Sequence, residues 1–291
     1  MTDPQFPSAL SSARIAILGI GLIGGSLAHA LQGKCDRLIG VDSDPDVAAA
    51  AERLGIFDAV SVDPAPVLGL ANFLILSAPV AQIISLIERL PSLHPGATAV
   101  LDTGSTKVEI ARAMQALPSR FFPVGGHPMA GKEVGGLDSA EGGLFQGAPF
   151  ALVRVREADP DPIVLVCDLV EAIGSHPVFM DPVSHDRNAA AVSHLPYLIA
   201  AAIAQATPPG ALALAGPGYQ SVTRLAGTPP EMMLDVIRSN RAQILDALSS
   251  FRQQLDSMES LLHQEEFDAL YCRLVLARSR QAELAGLGRP G

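Results

Sequence analysis

Cysteine is scarce in this sequence, and its placement excludes two common kinds of site. Only three cysteines occur among 291 residues, Cys35, Cys167 and Cys272, and they lie far apart. An odd, scattered set supports neither a disulfide framework nor a zinc site built from paired cysteines. The sequence therefore predicts no metal site and a reducing, cytoplasmic setting.

Positive charge is also in short supply. The chain has 20 Lys and Arg residues against 30 Asp and Glu residues, which gives a formal net charge of −10. A negative protein without a basic cluster is repelled by nucleic-acid phosphates and by anionic lipid headgroups. We therefore expect no nucleic-acid partner.

Long hydrophobic runs and a secretion signal are two further features that the sequence lacks. No uninterrupted apolar run reaches the roughly 20 residues that a membrane-spanning helix needs. The first residues, Met1 to Gln5, carry no basic n-region. We expect no membrane partner and a cytoplasmic location. Hydrophobic residues make up 48% of the chain, which is ample for two packed domains.

Buried strands alternate with helical segments in the first part of the chain. Apolar runs without an alternating pattern are typical of strands that are covered on both faces. This order predicts an α/β, Rossmann-like, doubly wound parallel sheet that forms a dinucleotide-binding domain over residues 1–180. The predicted strands are Ile15–Leu18, Leu38–Val41, Phe73–Leu76, Thr98–Leu101, Phe121–Val124 and Phe150–Val153.

The pattern becomes helical from Asp181 onward. Asp181 is suited to cap a helix and Pro182 to occupy its first position. No strand pattern follows Met180, so residues 181–291 are predicted to form an all-helical second domain. Its predicted helices are Val183–Gln205, Pro230–His263 and Glu265–Leu284.

A glycine-rich turn follows the first predicted strand and opens a helix. In this GxGxxG pattern Gly19 makes the tight turn, Gly21 lets the backbone approach a pyrophosphate, and Gly24 lets helix and strand pack closely. The unpaired N–H groups at the start of such a helix favour phosphate. The pattern predicts a dinucleotide site that also includes Leu22 and Ile23.

Acidic residues after the second strand indicate which dinucleotide is bound. Asp42 lies 23 residues after Gly19, about where an acid binds the adenosine ribose hydroxyls. A 2′-phosphate would meet Asp42 and Asp44 with no neighbouring Arg or Lys in sequence, which favours NAD over NADP. A helix cap or turn is the alternative role for Asp42. Ser77 and Pro79 follow another strand and are predicted to line the site, although a simple turn explains them too.

Two polar residues are candidates for chemistry at the same edge of the sheet. Ser105 follows the fourth predicted strand and also fits a helix cap. His127 stands between Gly126 and Pro128, which predicts a stiff loop. An unperturbed imidazole titrates near ~6.5 and can accept a proton at neutral pH, but a lone histidine is often structural.

Four motifs together resemble the prephenate/arogenate dehydrogenase family of tyrosine biosynthesis. The resemblance extends from about Arg14 to about Tyr271, and the His-Pro-Met-Ala-Gly segment is its most specific part. It implies an NAD-dependent oxidative decarboxylation in which a ring hydroxyl loses its proton as hydride leaves the ring carbon. The motifs are Gly21–Ser26, Asp102–Lys107, Gly126–Glu133 and Ser193–Pro196.

The resemblance implies a role for each matching residue. His127 matches the family's catalytic histidine, and Ser105 matches the serine that supports it. Arg224 matches the arginine that holds a substrate carboxylate, for which a planar guanidinium is suited. Glu133 is placed near the pocket, either to sense an amino group or to orient His127.

Two histidines on the first predicted helix of the second domain lie nine residues apart. At about 100° per residue, His185 and His194 point to opposite sides of a straight helix, so only one can face a shared site. The resemblance implies that His185 lies at the substrate pocket and that His194 is mostly packed. Tyr197 stands where many relatives have a histidine, so it offers a hydroxyl without positive charge.

The resemblance further implies a homodimer formed through the helical domain and a small-molecule substrate. Two other classes remain open. A β-hydroxyacid dehydrogenase or imine reductase would need a lysine on the first helix of the second domain, and Val183–Gln205 contains none. A non-catalytic NAD-sensing regulator would need a basic or partner-binding surface, which the acidic composition disfavours.

Overall fold

The structure is a computed structural model that describes residues 6–7, 9–157 and 161–287. These residues fall into two compact units, divided between Asn240 and Arg241. The first unit contains an eight-stranded sheet in the order β3-β2-β1-β4-β5-β6-β7-β8. Its strands are β1 (Arg14–Leu18), β2 (Arg37–Val41), β3 (Ala59–Ser61), β4 (Phe73–Leu76), β5 (Thr98–Asp102), β6 (Phe121–Pro128), β7 (Pro149–Arg154) and β8 (His176–Phe179).

Helices cover both faces of this sheet and continue after it. They are α1 (Leu22–Leu31), α2 (Pro45–Leu54), α3 (Ala65–Leu68), α4 (Val80–Leu93), α5 (Val108–Gln115), α6 (Pro162–Ala172), α7 (Pro182–Ala189), α8 (Leu195–Ala206), α9 (Pro217–Thr223), α10 (Pro230–Ser239), α11 (Arg241–His263) and α12 (Phe267–Leu287).

The central strands are buried because each contributes to two cores. In β4, Phe73 and Ile75 join the core on one face, while Leu74 and Leu76 join the core on the other. Successive side chains of a strand point to opposite faces, so a run of four apolar residues fills both cores. The predicted α/β fold with a doubly wound sheet is confirmed.

The sheet departs from the prediction at its edges. β1 to β6 are parallel, but β7 runs antiparallel to β6, and β8 is parallel to β7. The strands β3 and β8 were not predicted, because one has only three residues and the other, His176–Phe179, is exposed at both ends. Neither forms the fully apolar run by which the other strands are recognised.

The loop predicted around His127 is a strand. β6 continues through His127 to Pro128, all eight of its residues are buried, and His127 pairs with Ala151 of β7. Glycine is required next to it because a Cβ on Gly126 would lie 2.5 Å from the backbone oxygen of Asp102. The two strands β5 and β6 therefore approach closely at Asp102 and Gly126, next to His127.

The helix predicted over Val183–Gln205 contains an interruption. Asp181 caps it through Val183 N and Ser184 N, as predicted, at 3.0 and 2.9 Å. Between α7 and α8, however, Ala190–His194 forms a π-helical segment. The helix predicted over Pro230–His263 is likewise divided at Asn240 into α10 and α11.

The combined helix Pro182–Ala206 is apolar and little buried. Its most apolar stretch has a mean hydropathy of 1.4 and is 22% buried, so by length and composition it could cross a membrane. The core helices of soluble proteins meet the same criterion. The polar residues 185–188 and His194 interrupt the apolar run in the sequence. Val183 and Val192 on this helix are 47% and 67% exposed.

Candidate active site

The glycine turn forms a cradle with no room for a side chain at Gly19 or Gly24. Gly19 adopts a φ of 95°, and a Cβ there would lie 2.2 Å from the backbone oxygen of Ser77. A Cβ on Gly24 would lie 2.0 Å from the backbone oxygen of Gly19. Gly21, the cap residue of α1, faces open space instead. The backbone N–H groups at the start of α1 are thus accessible to a pyrophosphate.

Asp42 holds this turn in place and lines the adjacent cavity. One of its carboxylate oxygens accepts a hydrogen bond from Ile20 N at 2.7 Å, and the other accepts from Asp44 N at 3.0 Å. The helix cap of α2 is Asp44, which accepts from Asp46 N. Asp42 therefore stabilises the turn, which was the predicted alternative to ribose binding. Its half-buried carboxylate also borders the cavity.

The cavity next to the cradle has a volume of about 400 Å³. Gly19, Gly21, Asp42, Ser77 and Pro79 line it, whereas Leu22 and Ile23 do not and lie in the first turn of α1. Arg89 of α4 lines the same cavity. The prediction that no basic residue neighbours the adenosine end considered only residues close in sequence, and α4 brings this arginine back to the site.

Ser105 lies between β5 and α5 and is half-buried. It does not cap α5, contrary to one of its two predicted roles. The cap residue is Lys107, and the N–H groups at the start of this helix donate to the carboxylate of Asp186, which comes from α7. The ring of His127 makes its hydrogen bond with His185 rather than with Ser105.

A buried ion pair that the sequence did not indicate supports this region. Lys107 Nζ contacts the carboxylate of Asp102, and both side chains are fully buried. Asp102 also accepts hydrogen bonds from Gly104 N at 2.9 Å and from Gly126 N at 3.2 Å. Burial lowers the pKa of Lys107, although the adjacent Asp102 opposes that shift. The ion pair links the end of β5 to the start of α5 and to the strand of His127.

His127, His185 and Asp186 form a continuous hydrogen-bonded chain. His127 Nδ1 lies 2.9 Å from His185 Nε2, and His185 Nδ1 lies 2.8 Å from Asp186 Oδ1. All three residues are buried. Both ring nitrogens of His185 are used within the protein, and its predicted place at the substrate pocket stays a prediction. Its contact is with His127.

Burial lowers the pKa of His127 well below its usual 6.5, and the positive charges that His185, Lys107 and His194 can carry lower it further. The imidazole of His127 is therefore neutral at pH 7. It lies at the carboxyl end of β6, on the same edge of the parallel strands as the turn at Gly19. A neutral, buried imidazole at this edge is suited to accept a proton.

His194 ends the π-helical segment Ala190–His194, so its direction relative to His185 differs from that in an uninterrupted α-helix. The π-helical segment adds a residue to the turn between the two histidines, so the predicted opposition of His185 and His194 is wrong. Asn240 Nδ2 donates to Asp186 O at 2.7 Å and contacts His194 Nδ1 at 3.2 Å. Burial lowers the pKa of His194 to about 4.

Arg224 and Glu133 are brought together, as a direct ion pair between their side chains. The guanidinium is 59% exposed and the carboxylate 33% exposed, so both are accessible from solvent. Tyr197 is half-buried on α8, which packs against the 3₁₀ segment Arg224–Gly227. In the part of the chain that the structure describes, no cluster of three or more metal-binding side chains occurs.

The sequence matches two family profiles along most of its length. Residues 27–179 match the nucleotide-binding domain of prephenate dehydrogenase, and residues 181–275 match its dimerization domain. The chain is 32% identical to a prephenate dehydrogenase of Bacillus subtilis (strain 168), over 88% of this chain and 72% of that protein.

Solved structures give the same result. A prephenate dehydrogenase from Aquifex aeolicus, in complex with hydroxyphenyl propionate and NAD⁺, superposes with a TM-score of 0.86 at 28% identity, covering 95% of this chain and 100% of that one. A Synechocystis arogenate dehydrogenase superposes with a TM-score of 0.79 at 29% identity, covering 93% and 99%. With its glycine cradle and its buried histidine at one edge of the sheet, this chain belongs to the prephenate dehydrogenase family.

Proposed function

We propose that this protein catalyses the NAD-dependent oxidative decarboxylation of prephenate, to 4-hydroxyphenylpyruvate, or of arogenate, to tyrosine. The observation that carries this proposal is the neutral, buried imidazole of His127 at the edge of the sheet where the glycine cradle opens. Relatives named prephenate, cyclohexadienyl and arogenate dehydrogenases support both ring substrates.

The residues of the cradle fit NAD. Gly19, Gly21 and Gly24 leave room for the pyrophosphate, and Asp42 offers a carboxylate to the ribose hydroxyls. Leu22 and Ile23 belong to the helix start that faces the phosphates, and Ser77 and Pro79 close the cavity. When bound, NAD supplies the acceptor for the hydride that leaves the ring carbon.

His127 acts as the general base of the reaction. It takes the proton of the ring hydroxyl, and the electron pair of that O–H bond forms the carbonyl as the C–H bond of the same ring carbon breaks and its hydride leaves for NAD. The bond between the ring and its carboxylate then breaks, carbon dioxide leaves, and the electron pair makes the ring aromatic. The proton on His127 returns to the phenolate oxygen, so atoms and charge balance. Ser105 hydrogen-bonds the same hydroxyl.

The exposed end of the site binds the substrate's carboxylates. Arg224 offers a planar pair of N–H donors for a carboxylate, and its ion pair with Glu133 is exchanged for the substrate when one binds. Tyr197 contributes a hydroxyl from α8. The amino group of arogenate carries a positive charge that Glu133 can bind, and prephenate lacks this group.

The dinucleotide-binding domain, residues 1–180, and the helical domain, residues 181–291, have their boundary at Asp181. The helical domain forms a homodimer. The helices after this point expose apolar side chains, among them Leu214, which is 90% exposed, and Val222, which is 55% exposed. Surfaces of this kind are typical of protein interfaces. A second copy of the chain covers them, and the enzyme is cytoplasmic. Sedimentation should show a dimer; a monomer at micromolar concentration would contradict this assignment.

Steady-state rates with prephenate and arogenate, each with NAD and NADP, test the activity directly. We expect turnover of at least one ring substrate with NAD, seen as NADH absorbance together with loss of the ring carboxylate as carbon dioxide. Absence of turnover with both substrates, in protein that binds NAD, would refute the proposed function.

A further inference from the structure

The carboxylate of Asp186 determines where the protons of the buried histidines lie. Asp186 Oδ1 accepts a hydrogen bond from Lys107 N at 2.6 Å, and Oδ2 accepts one from Val108 N at 3.0 Å. Both donors are backbone N–H groups, so this carboxylate is held in one orientation. A carboxylate oxygen accepts and does not donate. His185 Nδ1, which lies 2.8 Å from Oδ1, must therefore carry a proton.

The same reasoning passes from His185 to His127. A neutral imidazole has one N–H and one lone pair, so the proton on His185 Nδ1 leaves its Nε2 as an acceptor. His127 Nδ1 lies 2.9 Å from that Nε2 and is the donor of the hydrogen bond. The lone pair of His127 then resides on Nε2, the nitrogen that is not engaged with His185.

We infer that Asp186 and His185 are positioning residues that hold His127 in the tautomer with its proton on Nδ1, so that Nε2 is the basic atom. This inference rests on the proposed dehydrogenase activity. When Nε2 takes the proton of the ring hydroxyl, His127 becomes positively charged. Its Nδ1–H then donates more strongly to His185, and the negative charge of Asp186 stabilises the charged pair.

Other charges around His127 make this stabilisation necessary. Lys107 is positive and disfavours a second positive charge, although Asp102 neutralises part of its field. His194 can add a further positive charge and is kept neutral by burial at pH 7. Asp186 is thus the anion that reaches His127 through hydrogen bonds, while Asp102 is engaged by Lys107, Gly104 N and Gly126 N.

Nitrogen-15 NMR of the unaltered protein, labelled at histidine, tests the tautomer without any substitution. At pH 8 the resonances of His127 should show a protonated Nδ1 and an unprotonated Nε2. The variant His127→Asn identifies these resonances by their loss. A protonated Nε2 on His127 in the folded protein would overturn the inference, whatever the kinetics show.

Substitution of His185 tests the consequence for catalysis. His185→Ala removes the acceptor, and we expect kcat to fall by about 10²-fold or more, with KM changed by less than roughly threefold. His185→Gln places an amide oxygen near the former Nε2. Because that oxygen accepts from His127 Nδ1, this variant should recover roughly tenfold of the lost rate.

The matched control is His94→Gln. His94 is as buried as His185, and its ring nitrogens bond to the backbone oxygens of Gly96 and Ala71, away from the reaction. Its substitution should lower the melting temperature and leave kcat within roughly threefold.

A folded His185→Ala enzyme with kcat within roughly threefold of the unaltered protein would also overturn the inference. If the unaltered protein turns over neither ring substrate, the proposed function fails, whereas the NMR result for the tautomer stands by itself.

Discussion

Removing the buried charge of Lys107 should destabilise the protein and also move the pH dependence of its activity. In Lys107→Met the carboxylate of Asp102 stays fully buried and keeps its hydrogen bonds to Gly104 N and Gly126 N, but it loses its counter-ion. Breaking a buried pair in this way costs about 3–5 kcal/mol. The loss is a large part of the roughly 5–15 kcal/mol by which proteins are stable.

The change in activity follows from the field of Lys107 at His127. The positive charge of Lys107 is one of the causes that lower the pKa of His127. Without it, and with the negative charge of Asp102 left unpaired, the pKa of His127 rises. The base must be neutral to act, so the acid limb of kcat/KM should move to higher pH in Lys107→Met, and the ratio of activity at pH 6 to that at pH 8 should fall.

Urea unfolding and pH profiles of kcat/KM measure the two effects. The control Lys34→Met removes an exposed lysine that donates to the backbone oxygen of Ala172, and it should cost less than about 1 kcal/mol. Adding Asp102→Asn to Lys107→Met should recover roughly half of the lost stability, because no unpaired charge remains. If Lys107→Met loses less than about 1 kcal/mol and keeps the acid limb in place, the buried ion pair does not have the role assigned to it.

Three further predictions concern the base, the substrate and the cofactor. In the unaltered enzyme kcat/KM should fall only well below pH 6.5, because the pKa of His127 is lowered by burial, and His127→Asn should reduce kcat by about 10²- to 10⁴-fold and abolish this limb. Arg224→Ala should raise KM by roughly 10- to 100-fold with kcat nearly constant; a change under about threefold would place it outside the site. Asp42→Ala should narrow the preference for NAD over NADP in kcat/KM, and Arg89→Ala, which removes the cation in the same cavity, should widen it.

The central part of the fold could be predicted because its pattern is local. Strands such as Phe73–Leu76 are apolar on both faces, and the turn at Gly19 combines a tight bend with the start of a helix. Strand direction is different, because a buried run reads the same in either orientation. The antiparallel placement of β7 therefore could not be predicted from its residues.

The candidate site was predicted only in part because its contacts join distant segments. His127 stands in a recognisable motif, but its partner His185 lies 58 residues away, and Asp186 lies 79 residues from the backbone of Lys107 that it caps. Arg89 reaches the cofactor cavity from α4 for the same reason. Spacing along the chain carries no signal for such contacts. The ion pair of Asp102 and Lys107 is different, because both residues lie within one of the four motifs.

The π-helical segment Ala190–His194 has a consequence for protein engineering. It is equivalent to a one-residue insertion in an α-helix, so deleting one residue there would give a more regular helix with better hydrogen-bond geometry. The same deletion would rotate everything beyond it by about 100° relative to α7 and separate His194 from Asn240. Methods that idealise backbones would therefore make this helix more regular and break the contact between His194 and Asn240.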